Sequence, residues 1–303
     1  MDGVLNIYKE KGFTSHDVVA VVRKTIHIRK VGHTGTLDPD AEGVLPICVG
    51  KATKLSDIIM DGRKSYRAVL RLGITTTTED ASGEVIEQRA VSCGEEEIRR
   101  AMAAMIGRQE QIPPMYSAVK VQGKKLYELA REGKEIERKA RTIEIYDIRI
   151  RQFLPEDQVE FDVDCSKGTY IRTLCADIGK ALGCGGHMAG LLRTKTGAFA
   201  LEDAIRLSEL KELAEQGRAE EVLLSMEEAL RDFPRICVES SFTKLLYNGG
   251  KIWQKHFAEH PQELREGDLA AVYDSERRLV GLHEIKREGK SFYIKPYKML
   301  VKE

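Results

Sequence analysis

The sequence predicts an α+β fold on a largely antiparallel or mixed sheet, followed by a small β-rich unit. Three observations carry that reading. Strand-like and helix-like segments alternate without a regular repeat and without the βαβ rhythm of a parallel sheet. The 303 residues, 42% apolar and 32% charged, can bury a sizeable core in one large domain or two ordinary ones. Beyond DFPRICVE, near residue 234, the pattern turns mostly to strands and tight turns.

Taken in order, Ser15 to Thr25 is the first predicted helix: Ser15 caps it, Asp17 sits in the first turn, and Val18, Val21 and Val22 share an apolar face. Ser65 to Leu72 alternates Tyr66, Ala68, Leu70 and Leu72 with polar residues, as a half-buried strand does. Gly94 to Met105 is amphipathic with helical spacing. Thr142 to Arg151 and Gln158 to Cys165 alternate as strands, and Thr173 to Leu182 returns to helical spacing. Leu207 to Leu230 reads as an acidic helical stretch that ends before Pro234. The strands predicted after it are Asp268 to Tyr273, Leu279 to Ile285 and Ser291 to Pro296, with turns at Asp274-Ser275 and Glu288-Gly289.

Lys+Arg and Asp+Glu both count 48, which argues against an indiscriminate polyanion binder. The charge is nonetheless partitioned. Residues 119 to 141 carry eight Lys/Arg against four Glu, residues 277 to 303 eight against three, and residues 202 to 232 ten acids against four bases. Solvated faces would account for such runs as readily as a binding surface. No apolar stretch approaches the roughly eighteen residues a bilayer requires, and MDGVLNIYKEKG has no apolar core segment. A cytoplasmic protein without membrane contact is expected. The six cysteines form no Cys-x-x-Cys pair and are expected to be reduced. Cys184-Gly-Gly-His187 has no second ligand pair to complete a metal site, so no metal is expected.

The densest chemical signal is Gly32 to Pro46, GHTGTLDPDAEGVLP. Gly and Pro punctuate it so often that it reads as a structured loop, neither regular helix nor central strand. Asp38, between Leu37 and Pro39, is restricted toward extended backbone, and an apolar setting would require a nearby cation to keep it ionised. From residue types alone, an Asp capping a turn explains Asp-Pro about as well as a catalytic carboxylate does. His33 would ordinarily be a hydrogen-bonded loop residue, Tyr66 a core aromatic and Arg172 a surface charge.

The whole string, however, resembles the signature of the TruB family, the tRNA pseudouridine-55 synthases. The opening GVLNIYKEKGFTSHDVV is similar to that family's first motif, with Glu10 where Pro is usual. KSYRA at 64–68 resembles its tyrosine motif and IPPMYSAVKVQGKKLYELA at 112–130 its RNA-gripping thumb. CSKGTYIRT at 165–173 and LLRTKTG at 191–197 resemble its later motifs, although Leu192 stands where Arg is common. Thr36-Leu37-Asp38 in place of Arg-Leu-Asp favours TruB over the other pseudouridine synthase families.

The resemblance implies a pseudouridine synthase catalytic domain over 1–233, an inserted thumb at about 109–141, and a PUA-like RNA-binding domain over 234–303. It implies isomerisation of uridine to pseudouridine at position 55 in the TΨC loop of tRNA, with Asp38 as the catalytic carboxylate. Tyr66 would stack on the flipped uracil, Arg172 would pair with Asp38, and Tyr170 and Leu191 would line the base pocket. His33 would fill the space the flipped nucleotides leave. Lys120, Lys124 and Lys125 of the thumb would grip phosphates, and the C-terminal domain would reach toward the acceptor end. An isomerisation loses no group and changes no oxidation state, so no cofactor is implied, and a monomer is expected. A tRNA-binding or folding factor without essential catalysis is the alternative from another class. The catalytic subunit of a guide-RNA complex and a metal-dependent hydrolase stand further off.

Overall fold

The computed structural model describes residues 1–301 apart from 118, 122 and 135; of 120, 121, 124, 125, 127 and 131 it describes the backbone alone. The first half of the chain forms β1 (Gly3–Lys9), α1 (Ser15–Ile26), β2 (Val31–His33), β3 (Glu42–Val49), α2 (Ser56–Met60), β4 (Lys64–Leu72), β5 (Ile74–Thr76), β6 (Val85–Gln88), α3 (Glu95–Ala103), β7 (Gly107–Gln111), β8 (Lys120–Val121), β9 (Lys124–Lys125) and α4 (Leu126–Arg131). Then come β10 (Arg141–Leu154), β11 (Gln158–Cys165), α5 (Ile171–Ala181), β12 (Gly186–Thr196), β13 (Phe199–Ala200), α6 (Leu207–Glu215), β14 (Leu223–Leu224) and α7 (Met226–Ala229). The last segment supplies β15 (Arg235–Val238), α8 (Thr243–Tyr247), β16 (Ile252–Trp253), β17 (Phe257–Glu259), β18 (Leu269–Tyr273), β19 (Leu279–Glu288) and β20 (Ser291–Met299).

A ten-stranded sheet organises the first part, in the order β14-β1-β3-β12-β4-β11-β10-β7, with β2 on β3 and β13 on β12. Its named strands pair antiparallel except at the centre, where β3 and β12 run parallel through Leu192↔Glu42 and Arg193↔Gly43. The sheet is therefore mixed, with a seam in its middle. Gly43 is what lets the seam close: its φ is +105°, and a Cβ there would sit 2.2 Å from the Arg193 carbonyl oxygen. A second, six-stranded sheet, β16-β20-β19-β18-β15-β17, holds the C-terminal part.

Alternation explains the main core. On β4 every second residue, Lys64, Tyr66, Ala68, Leu70 and Leu72, is buried. Tyr66, Ala68, Leu70 and Leu72 pack with Phe161, Val163 and Ile145 beneath Leu174 and Ile178 of α5 and Ile98 and Met102 of α3. Val18, Val19 and Val22 of α1 and Leu210 of α6 cover β1 and β3. A third cluster joins the two sheets: Val4, Val44, Cys48 and Leu55 meet Ala271, Tyr273, Leu282 and Leu300. Lys298 to Asp57 at 2.9 Å adds a cross-link at its edge. All six cysteines are free. Among the described residues, no helix is long and apolar enough to cross a membrane.

Three local expectations are corrected. Ser15 is not the α1 cap: Thr14 is, in a reciprocal capping box with Asp17, which frees the Ser15 hydroxyl for the Asp38 loop. The stretch from Leu207 to Leu230 is not one helix. Gly217, at φ +72°, ends α6, with Gly217 N–H on Ala214 and Arg218 N–H on Leu213. The Gly32–Pro46 segment is a loop only between β2 and β3, and Pro46 lies inside β3. Its carbonyl faces Thr34, so its missing N–H falls on the same side, in the gap between the β12 pairing at Glu42–Gly43 and the β2 pairing at Ile47–Val49.

Candidate active site

The loop from Thr34 to Ala41 is pinned from several sides. Thr34 donates its N–H and hydroxyl to Pro46 O at 3.1 and 3.2 Å. The Ser15 hydroxyl accepts from Leu37 N–H at 2.9 Å and donates to Leu37 O at 3.3 Å. Pro39 O accepts from Gly12 N–H and from Lys9 Nζ. Ala41 N–H closes a turn onto Asp38 O at 3.1 Å, with Pro39 at the position its fixed φ suits. The turn is made by backbone, which leaves the Asp38 carboxylate for another partner.

That partner is Arg172. Nε lies 3.0 Å from Asp38 Oδ2 and Nη2 lies 3.4 Å from Oδ1, a side-on fork. The Arg172 side chain is 5% exposed, contrary to the surface charge its residue type suggests, and Asp38 is 38% exposed. Arg172 also donates to Thr78 O (3.3 Å) and Tyr116 O (3.0 Å), and Nη1 sits 3.5 Å from Asp80 Oδ2. A cation in the first turn of a helix opposes the helix dipole, so these acceptors are what make its place in α5 tenable. Burial pushes the Asp38 carboxyl above its usual range; Arg172 and Lys9 oppose that rise, while Asp80 and Asp40 add to it. Lys9 is fully buried, and burial lowers it to about 8 despite the carboxylates around it.

Tyr66 projects from the buried face of β4, and burial pushes its phenol up to about 12. Leu191 stands on β12 opposite Ala68, one alternate position from Tyr66, half-buried against the main core. Tyr170 immediately precedes α5, where Gln111 grips its backbone twice, accepting from Tyr170 N–H (2.8 Å) and donating to Tyr170 O (3.0 Å). The structure thus joins Asp38 to Arg172 directly and sets Tyr66 and Leu191 on the strands beside the seam, while Tyr170 lies two residues before Arg172 with its backbone held by Gln111 of β7. It does not join His33 to the Asp38–Arg172 pair: the His33 ring accepts from Gly35 N–H and meets His16 edge-on at 5.1 Å. Burial, with His16 beside it, pushes His33 down. The β8–β9 hairpin pairs Lys120 with Lys125; the side chains of Lys120, Lys124 and Lys125 lie outside the described residues.

Residue-type reasoning passed over Arg193, Asp80 and Gln111. Arg193 is 1% exposed, donates from Nε to Val44 O at 2.7 Å, and faces Thr36 O from Nη1 at 3.5 Å. The one available signal was a long cation inside the apolar alternation of LLRTKTG. Of the two departures noted in the motifs, Glu10 pairs with Arg206 and Leu192 sits on the seam beside Glu42.

Residues 23–171 match the TruB family pseudouridylate synthase N-terminal domain, and residues 172–231 match the tRNA pseudouridylate synthase B C-terminal domain. The chain belongs to the TruB family. Its relatives include a tRNA pseudouridine synthase B of Alkaliphilus oremlandii, 50% identical over 301 residues and 99% of each chain. Another, of Halalkalibacterium halodurans, is 43% identical over 309 residues, covering 100% of this chain and 99% of that one. Among solved structures, a chain of a Cbf5-Nop10-Gar1 complex has a TM-score of 0.79 at 29% identity, covering 99% of this chain and 85% of that chain. A chain of an H/ACA RNP bound to a substrate RNA containing 2′-deoxyuridine has 0.76 at 27%, with the same coverage. The TruB fold class expected from the motifs, with its mixed sheet and small β-rich C-terminal region, is the one observed.

Proposed function

We propose that this TruB-family pseudouridylate synthase converts uridine to pseudouridine at position 55 in the TΨC loop of tRNA, with Asp38 as the catalytic carboxylate. The observation that carries the reading is the Asp38–Arg172 fork at the sheet seam. The relatives named tRNA pseudouridine synthase B match nearly end to end at 43–50% identity, which supports a tRNA substrate over a role inside a larger RNP, where identity is 27–29%.

The chemistry breaks C1′–N1, turns the base, and joins C1′ to C5; the C5 proton leaves to solvent and N1 takes one up, so product and substrate have the same formula. Asp38 serves either by attacking C1′ or by taking the C2′ proton; both require an ionised carboxylate in a partly dry site, which is what Arg172 provides. Tyr66 stacks on the flipped uracil, an interaction worth about 1–3 kcal/mol, while Tyr170 and Leu191 bound the pocket. His33 fills the opened RNA loop, offsetting part of the few kcal/mol of unstacking. Lys120, Lys124 and Lys125 hold the stem-loop phosphates. Residues 1–233 form the catalytic domain, with the thumb at about 109–141. Residues 234–303 form a PUA-like module that touches the acceptor end. The enzyme acts as a monomer without a cofactor.

Tritium release from a tRNA transcript carrying [5-³H]uridine tests the reading, because the C5 hydrogen leaves only when C5 takes over the glycosidic bond. Release is expected from wild type, and its loss with Asp38→Ala and with U55 changed to C. Tight tRNA binding without release would replace the enzyme by an RNA-folding factor.

A further inference from the structure

Arg193 is the most unusual charge in the molecule. It is 1% exposed, no carboxylate lies within 4.0 Å of it among the described residues, and its Nη2 has no hydrogen-bond partner. A guanidinium buried without an acid is expensive, and nothing about the main core requires one on β12. Two of its three nitrogens are accounted for: Nε holds Val44 O at 2.7 Å and Nη1 faces Thr36 O at 3.5 Å. Both carbonyls belong to the chain around Asp38, one on β3 and one in the loop itself. The Arg193 backbone, meanwhile, is where β12 presses on Gly43 at the seam.

The third nitrogen is buried, too enclosed for a substrate atom to reach it. Beside the guanidinium stands Tyr66. Arg193 and Tyr66 are direct partners in the β4–β12 ladder, so their side chains leave the sheet on the same face. The phenol opposes the burial that lowers Arg193, and Arg193 is the strongest counterweight to the burial that raises Tyr66.

We propose that Arg193 is a positioning residue that ties the Tyr66 phenol to the Asp38 loop. One guanidinium fixes the height of the loop through Thr36 and Val44 while its remaining N–H side fixes the Tyr66 ring. The stacking surface and the carboxylate then keep one spacing as the nucleotide enters. The inference rests on the roles given above to Asp38 and Tyr66. It adds that neither is placed independently of the other.

The test is single-turnover tritium release by Arg193→Lys, Tyr66→Phe and the double variant, with tRNA affinity measured in parallel. Arg193→Lys keeps the charge but cannot face Val44, Thr36 and Tyr66 together. It is expected to slow release about 100-fold, the order a misplacement near 1 Å produces, while the dissociation constant for tRNA changes less than about threefold. In the Tyr66→Phe background the same substitution is expected to slow release less than about fivefold, because the phenol it held is gone. Equal losses in both backgrounds, or a wild-type rate in Arg193→Lys, would overturn the proposal. If Arg193→Lys fails to fold, Arg193→Met, which keeps the packing of the stem and leaves no buried charge, takes its place in the same cycle, and additive losses there would overturn it too. Asp38→Ala retaining release would sink the parent reading instead, so the two failures are told apart.

Discussion

Removing Arg172 exposes how the catalytic carboxylate is kept charged. The direct pair, at 3.0 Å, corresponds to about 5 kcal/mol of Coulomb attraction at an effective dielectric near 20. Asp38 is 38% exposed, so solvent screening leaves roughly 2 kcal/mol. The carboxyl is already raised by burial and by Asp80, and Arg172 is the main opposing charge. In Arg172→Ala the carboxyl therefore rises further, and the ionised form is lost at a higher pH than in wild type. The assay is single-turnover tritium release between pH 5.5 and 9. The acid limb of the rate profile is expected to move to higher pH, so the variant loses more at pH 6 than at pH 8.5. Arg172→Lys should restore most of the limb's position, though not the rate, because an ammonium cannot serve Asp38, Thr78 O and Tyr116 O at once. An acid limb left where wild type has it would refute the claim that Arg172 acts on the ionisation of Asp38.

The seam yields a stability prediction: Gly43→Ala places a methyl 2.2 Å from Arg193 O at a φ of +105°, and urea melts should show a loss of at least about 2 kcal/mol. Lys9 and Lys64 are both buried and both lowered to about 8, chiefly by burial. Between pH 8 and 10.5 the unfolded chain keeps protons that the folded chain has released, so each should make stability rise with pH, by at most about 3 kcal/mol. Lys9→Met and Lys64→Met should flatten that rise in urea melts at pH 7, 9 and 10, and curves parallel to wild type would contradict it. Glu79 has a φ of +64° and accepts from the Thr173 hydroxyl at 2.6 Å, one residue from Arg172. Glu79→Ala forfeits that bond and keeps the left-handed backbone, whereas Glu79→Gly forfeits it and relieves the backbone. Thermal melts should therefore place the glycine variant about 1 kcal/mol above the alanine one.

What the sequence made legible follows from how far each signal reaches along the chain. Alternation at Gln158–Cys165 and helical spacing over Thr173–Leu182 are local, and β11 spans the first while α5 begins two residues before the second. Capping was misjudged by one residue because Thr14 and Ser15 are both able to cap, and only the Thr14–Asp17 reciprocity decides between them. Pro46 misled for a different reason. A proline is excluded from a central strand only where its N–H must serve a paired strand, and at Pro46, where β12 has left β3 and β2 has not yet begun, the loop residue Thr34 needs only its carbonyl.

The same seam explains why Asp38 was visible and its support was not. The loop advertises itself through Gly and Pro, whose backbone demands are written in their own identity. Arg193, Asp80 and Gln111 are ordinary residue types that acquire a role only when strands far apart in sequence set their partners: 149 positions separate Arg193 from Val44, and 59 separate Gln111 from Tyr170. A buried cation cannot be told from an exposed one on a strand until its register is known. The parallel pairing at Glu42–Gly43 sets that register, because it brings β12 against β3 just where the Asp38 loop ends. With that contact made, an arginine two residues after Leu191 has the β3 carbonyl and the Tyr66 phenol as its neighbours. A shift of one residue would carry it to the opposite face and leave both without it.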